Sequence, residues 1–230
     1  MYALVGLLFL FSIVRWLMAQ RASPGRQQRK AAIAALCEKR GLVPGPVRLA
    51  GTFLIATFMD APAFENSFSS PDGEVSAADY WRRQGKGEWH AFSLLVFTIE
   101  GLNMPYVAVT RRNLPGLPLI WGPQQVELES IDFTAAFLVR AADRRSAVML
   151  LDEGMMQWML DCQDVSFEMG GDRIAALVWR RDEPTNQPAL PSASNPRQAD
   201  PVEMELLFKF QDGFVTRVPA QVRSEYPAAV

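Results

Sequence analysis

Residues 126–180 hold the clearest alternation of strand and helix patterns in the chain. Apolar and polar side chains alternate over residues 165–169, which is typical of a strand with one buried face. Gly170-Gly171 supplies the positive φ angles of a tight turn, and residues 172–180 return as a second strand. The segment therefore predicts a β-hairpin and a sheet built from antiparallel neighbours.

Helix start signals precede this hairpin. Ser130 precedes a short helix predicted over residues 131–136, and Asp143 precedes a longer helix. Asp152 restarts the helical spacing, so a helix pair is predicted over residues 144–161. The second helix of the pair has a methionine-rich face. Such a face can form an adaptable binding groove but is more often gap-filling core, which is the interpretation we adopt.

Strand and loop patterns cover most of the remaining chain. β-branched and aromatic residues predict strands at residues 49–58, 79–83, 88–99, 106–111 and 137–140. Proline, glycine and asparagine predict loops at residues 61–77 and 114–123. Residues 182–199 carry few apolar side chains and are expected to be flexible.

Two further helices complete the prediction. Residues 26–40 read as a helix that links a membrane segment to the domain. Asp200-Pro201 starts the last helix, in which Glu203 completes a capping-box-like pair and Gly213 is expected to kink or end the helix. We therefore expect an α+β fold, a mainly antiparallel sheet covered on one face by the helix pair and the C-terminal helix.

The first 20 residues predict a membrane anchor. Residues 1–14 carry no charge, and residues 1–20 can span a hydrocarbon core if Arg15 extends to the interface. No positive charge precedes the apolar run, which favours an uncleaved anchor over a signal peptide. The nearby positive charges all follow the anchor's apolar part, so the domain is expected in the cytoplasm. The chain then divides into an anchor (1–20), a basic juxtamembrane segment with a linker helix (21–45) and an α+β domain (46–230).

Charge is distributed unevenly along the chain. The first 30 residues hold five basic and no acidic residues, which leaves 18 basic against 25 acidic residues, about −7, for the remainder. An acidic domain repels phosphates, so nucleic acid is not an expected partner. The basic cluster either contacts anionic lipid head groups or only sets the topology. Its members are Arg15, Arg21, Arg26, Arg29 and Lys30.

One stretch resembles a known group of proteins. The segment LESIDFTAAFLV, followed by DRRSAVMLLDEGMMQWML and a glycine-containing hairpin, resembles a family of uncharacterised bacterial membrane-anchored proteins with a C-terminal domain of unknown function. The matching residues are Glu129, Ser130, Phe133, Phe137, Val139, Leu150, Leu151, Met155 and Leu160. The resemblance implies shared architecture only, an N-terminal membrane helix followed by a soluble domain, and carries no activity with it. The location we expect from the anchor is the cell (inner) membrane, crossed once.

No catalytic or cofactor motif is recognisable in the sequence. His90 is the single histidine, and the phosphate-binding and dinucleotide-binding glycine motifs are absent. Cys37 and Cys162 lie far apart outside any CxxC pair, so we expect two free thiols. The sequence thus predicts neither a metal nor a cofactor.

Two groups of side chains are candidates for function. A pair of predicted strands around a glycine turn combines aromatic and basic residues, as protein interfaces do, unless the strands simply bury the aromatics. This candidate interface consists of Tyr80, Trp81, Arg82 and Trp89. Glu127 and Glu129 would share a face of an extended segment and could perform acid–base work or bind a hard cation.

These observations favour a non-enzymatic role. The first hypothesis is a membrane-anchored accessory subunit whose cytoplasmic domain binds a protein partner in a membrane complex. The second is a carboxylate- or metal-dependent hydrolase at Glu127 and Glu129. The third is a lipid or peptide carrier, which requires an apolar tunnel under the sheet.

Overall fold

A nine-stranded antiparallel sheet forms the centre of the computed structural model, which describes residues 24–49, 63–84, 88–114, 123–162, 164–180 and 201–228. The strands are β1 (Val43–Pro44), β2 (Ala63–Ser69), β3 (Val75–Gln84), β4 (Glu88–Thr98), β5 (Met104–Arg111), β6 (Gln124–Gln125), β7 (Phe137–Ala141), β8 (Val165–Gly171) and β9 (Arg173–Trp179). The helices are α1 (Pro24–Lys39), α2 (Ile131–Ala136), α3 (Arg144–Leu150), α4 (Glu153–Asp161), α5 (Val202–Arg217) and α6 (Ala220–Glu225). The predicted α+β class with a large antiparallel sheet is confirmed.

The strand order is β1-β2-β3-β4-β9-β8-β5-β7-β6. Neighbours in sequence form the hairpins β3–β4 and β8–β9, and β4 pairs with β9 in the middle of the sheet. The predicted Gly-Gly hairpin is confirmed, with Gly171 at a φ of 66°. Both edges of the described sheet are strands of only two residues, β1 and β6.

The helices pack on one face of the sheet, where they bury the larger hydrophobic cluster. Strand residues such as Phe97 and Phe167 meet Phe210 and Phe214 of α5 there. Met155 and Met159 of α4 are buried in the same cluster, so the methionine-rich face belongs to the core. The opposite face carries a smaller cluster around Tyr80, Phe92, Leu94, Val96 and Leu177.

Local start signals position the three central helices as predicted. Ser130 accepts a hydrogen bond from the Phe133 amide at the start of α2. Asp143 accepts from the amides of Arg145 and Ser146, and Asp152 accepts from the Met155 amide. Each cap satisfies amides that have no partner within the first helical turn.

One loop prediction differs from the structure, and two further predictions fall outside the described residues. Residues 61–77, predicted to be a loop, contain β2 and the start of β3. The sequence of β2, AFENSFS, is rich in turn-forming residues, and its pairing comes from β3 across the sheet. The strand predicted at residues 49–58 and the flexible segment 182–199 lie outside the described residues, apart from Leu49, which is not in a strand.

The two long helices also depart from their predictions. The linker helix is part of the domain, because Ile33 and Cys37 of α1 are fully buried in the main core. Glu203 forms no capping box, and α5 begins after Pro201 without a side-chain cap. Gly213 does not end α5, which continues to Arg217. Cys37 and Cys162 are both free, as expected.

The membrane anchor falls outside the described part of the chain. Within the described ranges, every helix is too short or too polar to cross a membrane. Residues 1–23 are not among them, so the anchor stays a prediction.

Candidate functional site

A buried cluster of charges lies where α1, the sheet and α5 meet. Asp79 of β3, 2% exposed, receives two hydrogen bonds from Arg29 of α1, Nε to Oδ2 at 3.1 Å and Nη2 to Oδ1 at 2.9 Å. Arg180, which follows β9, places its Nη1 3.2 Å from Asp79 Oδ1. We call these three residues the Arg–Asp–Arg cluster. Two of its members come from opposite ends of the chain, so the cluster joins elements that are distant in sequence.

Polar side chains around the cluster satisfy its remaining groups. Asn66 donates from Nδ2 to Asp79 Oδ2 at 2.8 Å, and it adopts a φ of 47° where the register of β2 shifts. Asparagine tolerates this left-handed conformation better than most residues. Arg29 also donates to Ser93 Oγ at 3.2 Å and to Glu203 Oε2 of α5 at 3.4 Å. The cluster therefore connects α1, three strands and α5.

Charge within the cluster shifts the protonation equilibria of its members. Burial raises the pKa of Asp79, but the charges of Arg180 and Arg29 outweigh burial and hold this pKa below its usual value. Burial lowers the pKa of Arg180 to about 10, although Asp79 opposes that shift. Both arginines and Asp79 are consequently charged at neutral pH.

The cluster is suited to holding elements together rather than to proton transfer. A general base needs a pKa near the working pH, and Asp79 is far below it. The guanidinium of Arg180 also lies over the ring of Trp81, 5.6 Å from its centroid, which closes one side of the cluster. The geometry therefore fixes α1 to the sheet.

The candidate lipid contacts are only partly described. Arg29 is 3% exposed and paired with Asp79, so its assignment to lipid head groups is wrong. Lys30 is exposed on α1. Arg26 lies in α1 with its side chain outside the described part, and Arg15 and Arg21 lie outside it altogether.

Of the four residues of the candidate interface, two are buried and two have side chains outside the described part. Tyr80 and Trp81 are 2% and 5% exposed, so these two aromatic rings lie inside the domain instead of at a surface. Tyr80 stacks on Phe64 at 5.4 Å between ring centroids. Near the end of the β3–β4 hairpin, Arg82 pairs with His90 and Trp89 pairs with Arg83 in the strand register, and the side chains of Arg82 and Trp89 are not described. The interface remains a prediction for those two positions.

A second buried carboxylate lies on the opposite face of the sheet. Glu168 of β8 is fully buried and accepts a hydrogen bond from the Tyr106 hydroxyl at 2.8 Å. Burial and the neighbouring Glu168 charge raise the pKa of Tyr106, so the hydroxyl keeps its proton and serves as a donor. The Tyr106 hydroxyl thus gives the buried Glu168 carboxylate the hydrogen-bond partner that a buried polar group requires.

Glu127 and Glu129 are both exposed beside the β6 edge. Glu127 lines a groove of about 600 Å³, together with residues 124–126, Ala141, Ala142 and Arg144. In the described part of the chain no three His, Cys, Asp or Glu side chains are close enough to hold a metal ion. The groove lies at the sheet edge, and polar and apolar side chains both line it.

Sequence reasoning missed the cluster itself. A signal was present, because Asp79 interrupts the apolar run of β3 between Ala78 and Tyr80. A charge in such a position is rarely buried without a partner. The identity of the partners could not be predicted, since Arg29 and Arg180 are separated from Asp79 by tens of residues on either side.

Comparison with solved structures yields a distant likeness. No protein-family model and no curated protein matches the chain. The chain is similar to the crystal structure of the mycobacterial trehalose monomycolate transport factor A, with a TM-score of 0.41 and 11% identity. The alignment covers 84% of this chain and 98% of that structure.

Proposed function

We propose that the protein is a membrane-held accessory subunit, whose domain binds a protein partner of a membrane complex. The proposal combines an anchor at residues 1–20 with a domain held at a fixed distance from the membrane. Recognition, rather than chemistry, is then the task of the domain.

The attachment of α1 to the sheet carries this proposal. Arg29 and the buried residues Ile33 and Cys37 make α1 part of the domain. Only residues 21–23 separate α1 from the end of the proposed anchor. The four peptide steps from residue 20 to residue 24 span at most about 14 Å. On this proposal the domain lies directly at the membrane surface, within reach of the cytoplasmic loops of a membrane protein.

A short and fixed connection has a physical advantage for such binding. A partner confined to the same membrane meets the domain at a high effective concentration, which a longer linker dilutes. A soluble enzyme active on small molecules gains nothing from this constraint. The connection therefore supports the accessory role over the hydrolase alternative.

The proposal is tested by lengthening the connection in the full chain. A Gly-Ser linker of about 20 residues between Gln20 and Arg21 extends the mean distance to about 25 Å. We expect proteins that co-purify with the wild-type chain in mild detergent to be recovered in smaller amounts with the insertion variant. Quantitative mass spectrometry of chemically cross-linked membranes measures this recovery.

Two controls accompany the insertion. Membrane retention after carbonate extraction shows that the anchor still functions, and circular dichroism shows that the domain still folds. A protein whose recovery is equal with both chains contradicts the importance of the fixed connection. Recovery of no protein above background with the wild-type chain removes the accessory role altogether.

A further inference from the structure

The two long helices show which end of the domain follows the anchor. Arg29 bonds Glu203 near the starts of α1 and α5, and Arg40 bonds Asp212 at 2.8 Å further along both helices. The helices therefore run parallel to each other. The end of α1 leads to β1, which pairs with β2 at Ser69. Ser69 in turn pairs with Ser76, so the end of α1 lies near the beginning of β3. Since α1 starts near Asp79 and ends near the beginning of β3, it runs opposite to β3, and both helix starts lie toward the end of β3.

The β3–β4 hairpin extends beyond the helix starts at that end. The ladder continues from the Asp79 pair with Ser93 to the Gln84 pair with Glu88. Five strand residues cover about 17 Å, whereas the five residues from Arg29 back to Pro24 cover about 7.5 Å of helix. We call Arg82–Gln84 and Glu88–Trp89 the hairpin end. It extends farther along the strand direction than the start of α1, which leads to the proposed anchor.

Charge differs between the two ends of these strands. The hairpin end holds Arg82, Arg83 and Glu88, a net charge of +1, together with Trp89, and exposed Lys30 lies on α1 near the same end. The turns at the other end, before β3 and after β4 and β8, hold four exposed acidic residues. These are Asp72, Glu74, Glu100 and Asp172, and with Arg48 and Arg173 beside them this end has a net charge of −2. An anionic surface attracts the hairpin end and repels the opposite end.

We propose that the hairpin end lies in the head-group layer of an anionic phospholipid membrane. Arginine provides the attraction to anionic head groups, and tryptophan is the residue most typical of the membrane interface. The contact rests on the proposed function only in requiring the anchor. It fixes the orientation of the domain in addition to its distance from the bilayer. Arg82 and Trp89, first considered for a protein interface, receive a lipid partner in this arrangement.

The contact is tested with an environment-sensitive fluorophore at Gln84→Cys in a Cys37→Ala, Cys162→Ala background. The full chain is reconstituted into phosphatidylcholine vesicles with or without phosphatidylglycerol, and head-group spin-labelled lipid serves as the quencher. Asp72→Cys, at the opposite end of β3, is the matched control. We expect quenching at position 84 but not at position 72, and stronger quenching in the vesicles that contain phosphatidylglycerol.

Charge reversal and salt give a second measurement. Arg82→Glu with Arg83→Glu is expected to lower the equilibrium constant for membrane contact of the hairpin end by at least about fivefold for each arginine replaced. High salt is expected to weaken the wild-type quenching in the same direction, which provides the measurement if the double variant does not fold. Equal quenching at positions 84 and 72, or equal quenching with and without phosphatidylglycerol, overturns the proposal. A chain that leaves the vesicles during flotation in high salt shows instead that the anchor, and with it the proposed function, has failed.

Discussion

Asp79 is the residue on which three distant parts of the chain depend. It accepts hydrogen bonds from Arg29 and Asn66 and pairs with Arg180, all within the interior. A buried ion pair stabilises a fold less than its contacts suggest, because both charges lose their water. Removing one partner is costly nevertheless, since the remaining charges stay buried without compensation. The cluster thus makes the position of α1 specific.

This dependence predicts the effect of Asp79→Asn. The substitution removes the buried carboxylate that Arg29 and Arg180 share, so we expect the free energy of unfolding to fall by about 3–5 kcal/mol. Denaturant titration of the full chain in mild detergent measures the loss. Asp212→Asn, which removes the exposed pair with Arg40, is the control and is expected to cost at most about 1 kcal/mol.

The difference in stability between the wild-type chain and Asp79→Asn should depend on pH. The folded pKa of Asp79 is below the unfolded value of about 3.9, so its ionised form stabilises the fold above that value. The wild-type chain loses this stabilisation as pH falls below about 4, toward the folded pKa, whereas Asp79→Asn has none to lose. The stability difference between the two chains should therefore shrink on acidification. A difference that is constant down to the acid transition argues against an ionised Asp79.

Helices α2, α3 and α4 could be predicted at the level of single elements because their signals are local. Ser130, Asp143 and Asp152 each cap the helix that immediately follows them. Strand β2 could not be predicted in this way, because its polar sequence forms a strand only through pairing with β3. Local chemistry determines where an element starts, and tertiary pairing determines whether a weak strand forms at all.

Leu151 tests the packing of the helix pair on the sheet. It is 2% exposed at the end of α3, so Leu151→Ala should cost about 2–5 kcal/mol through lost burial and a residual cavity. Val148→Ala in the same helix, at a position 41% exposed, should change stability by no more than about 0.5 kcal/mol. Thermal unfolding of both variants provides the comparison. Similar melting temperatures would place Leu151 outside the core.

A substitution at Gly213 tests whether α5 needs a glycine where it passes the Trp158 ring. A Cβ at this position would lie 2.7 Å from Trp158 Cζ2, whose ring stacks on Phe210. We expect Gly213→Ala to cost about 1 kcal/mol net, because displacing the ring outweighs the better helix propensity of alanine. Near-ultraviolet circular dichroism should report the movement of Trp158.

Gly154→Ala in α4 is the matched control for that substitution. Its Cβ would meet Asp152 Oδ1 at 3.5 Å, an ordinary contact. Here alanine should leave stability unchanged or raise it by up to about 1 kcal/mol. A stabilising Gly213→Ala would show that α5 can move away from Trp158 without loss.

The order of strands in the sheet is a property of the whole molecule, and no local sequence pattern predicts it. Pairing of β4 with β9 places Phe97 beside Ile174, and β5 lies between β8 and β7. Sequence patterns predicted most of the strands and the antiparallel class, but not which strands are neighbours. The Arg–Asp–Arg cluster shares this limit, because it exists only once β3, β4 and β9 are adjacent.

The orientation that the proposed anchor would impose is a second property of the whole molecule. The basic residues after the proposed anchor predict a cytoplasmic domain. Ser194→Cys, in a Cys37→Ala, Cys162→Ala background, should therefore react with an impermeant maleimide only after the cells are permeabilised. Tyr2→Cys, on the other side of the proposed anchor, is expected to react in intact cells. The reverse pattern of labelling would invert the topology.

The contact between Arg29 and Glu203 also sets the order of events during synthesis. The two residues are 174 positions apart, so the ribosome needs about 10–35 s to make the second after the first. During that interval α1 has emerged with its apolar face uncovered, while most of the residues that will bury Ile33 and Cys37 are still to be translated. A nascent chain stopped before α5 leaves that face unfinished. The first helix of the described chain is therefore among the last to find its place, and an unfinished chain presents quality-control proteases with a helix whose apolar face is exposed.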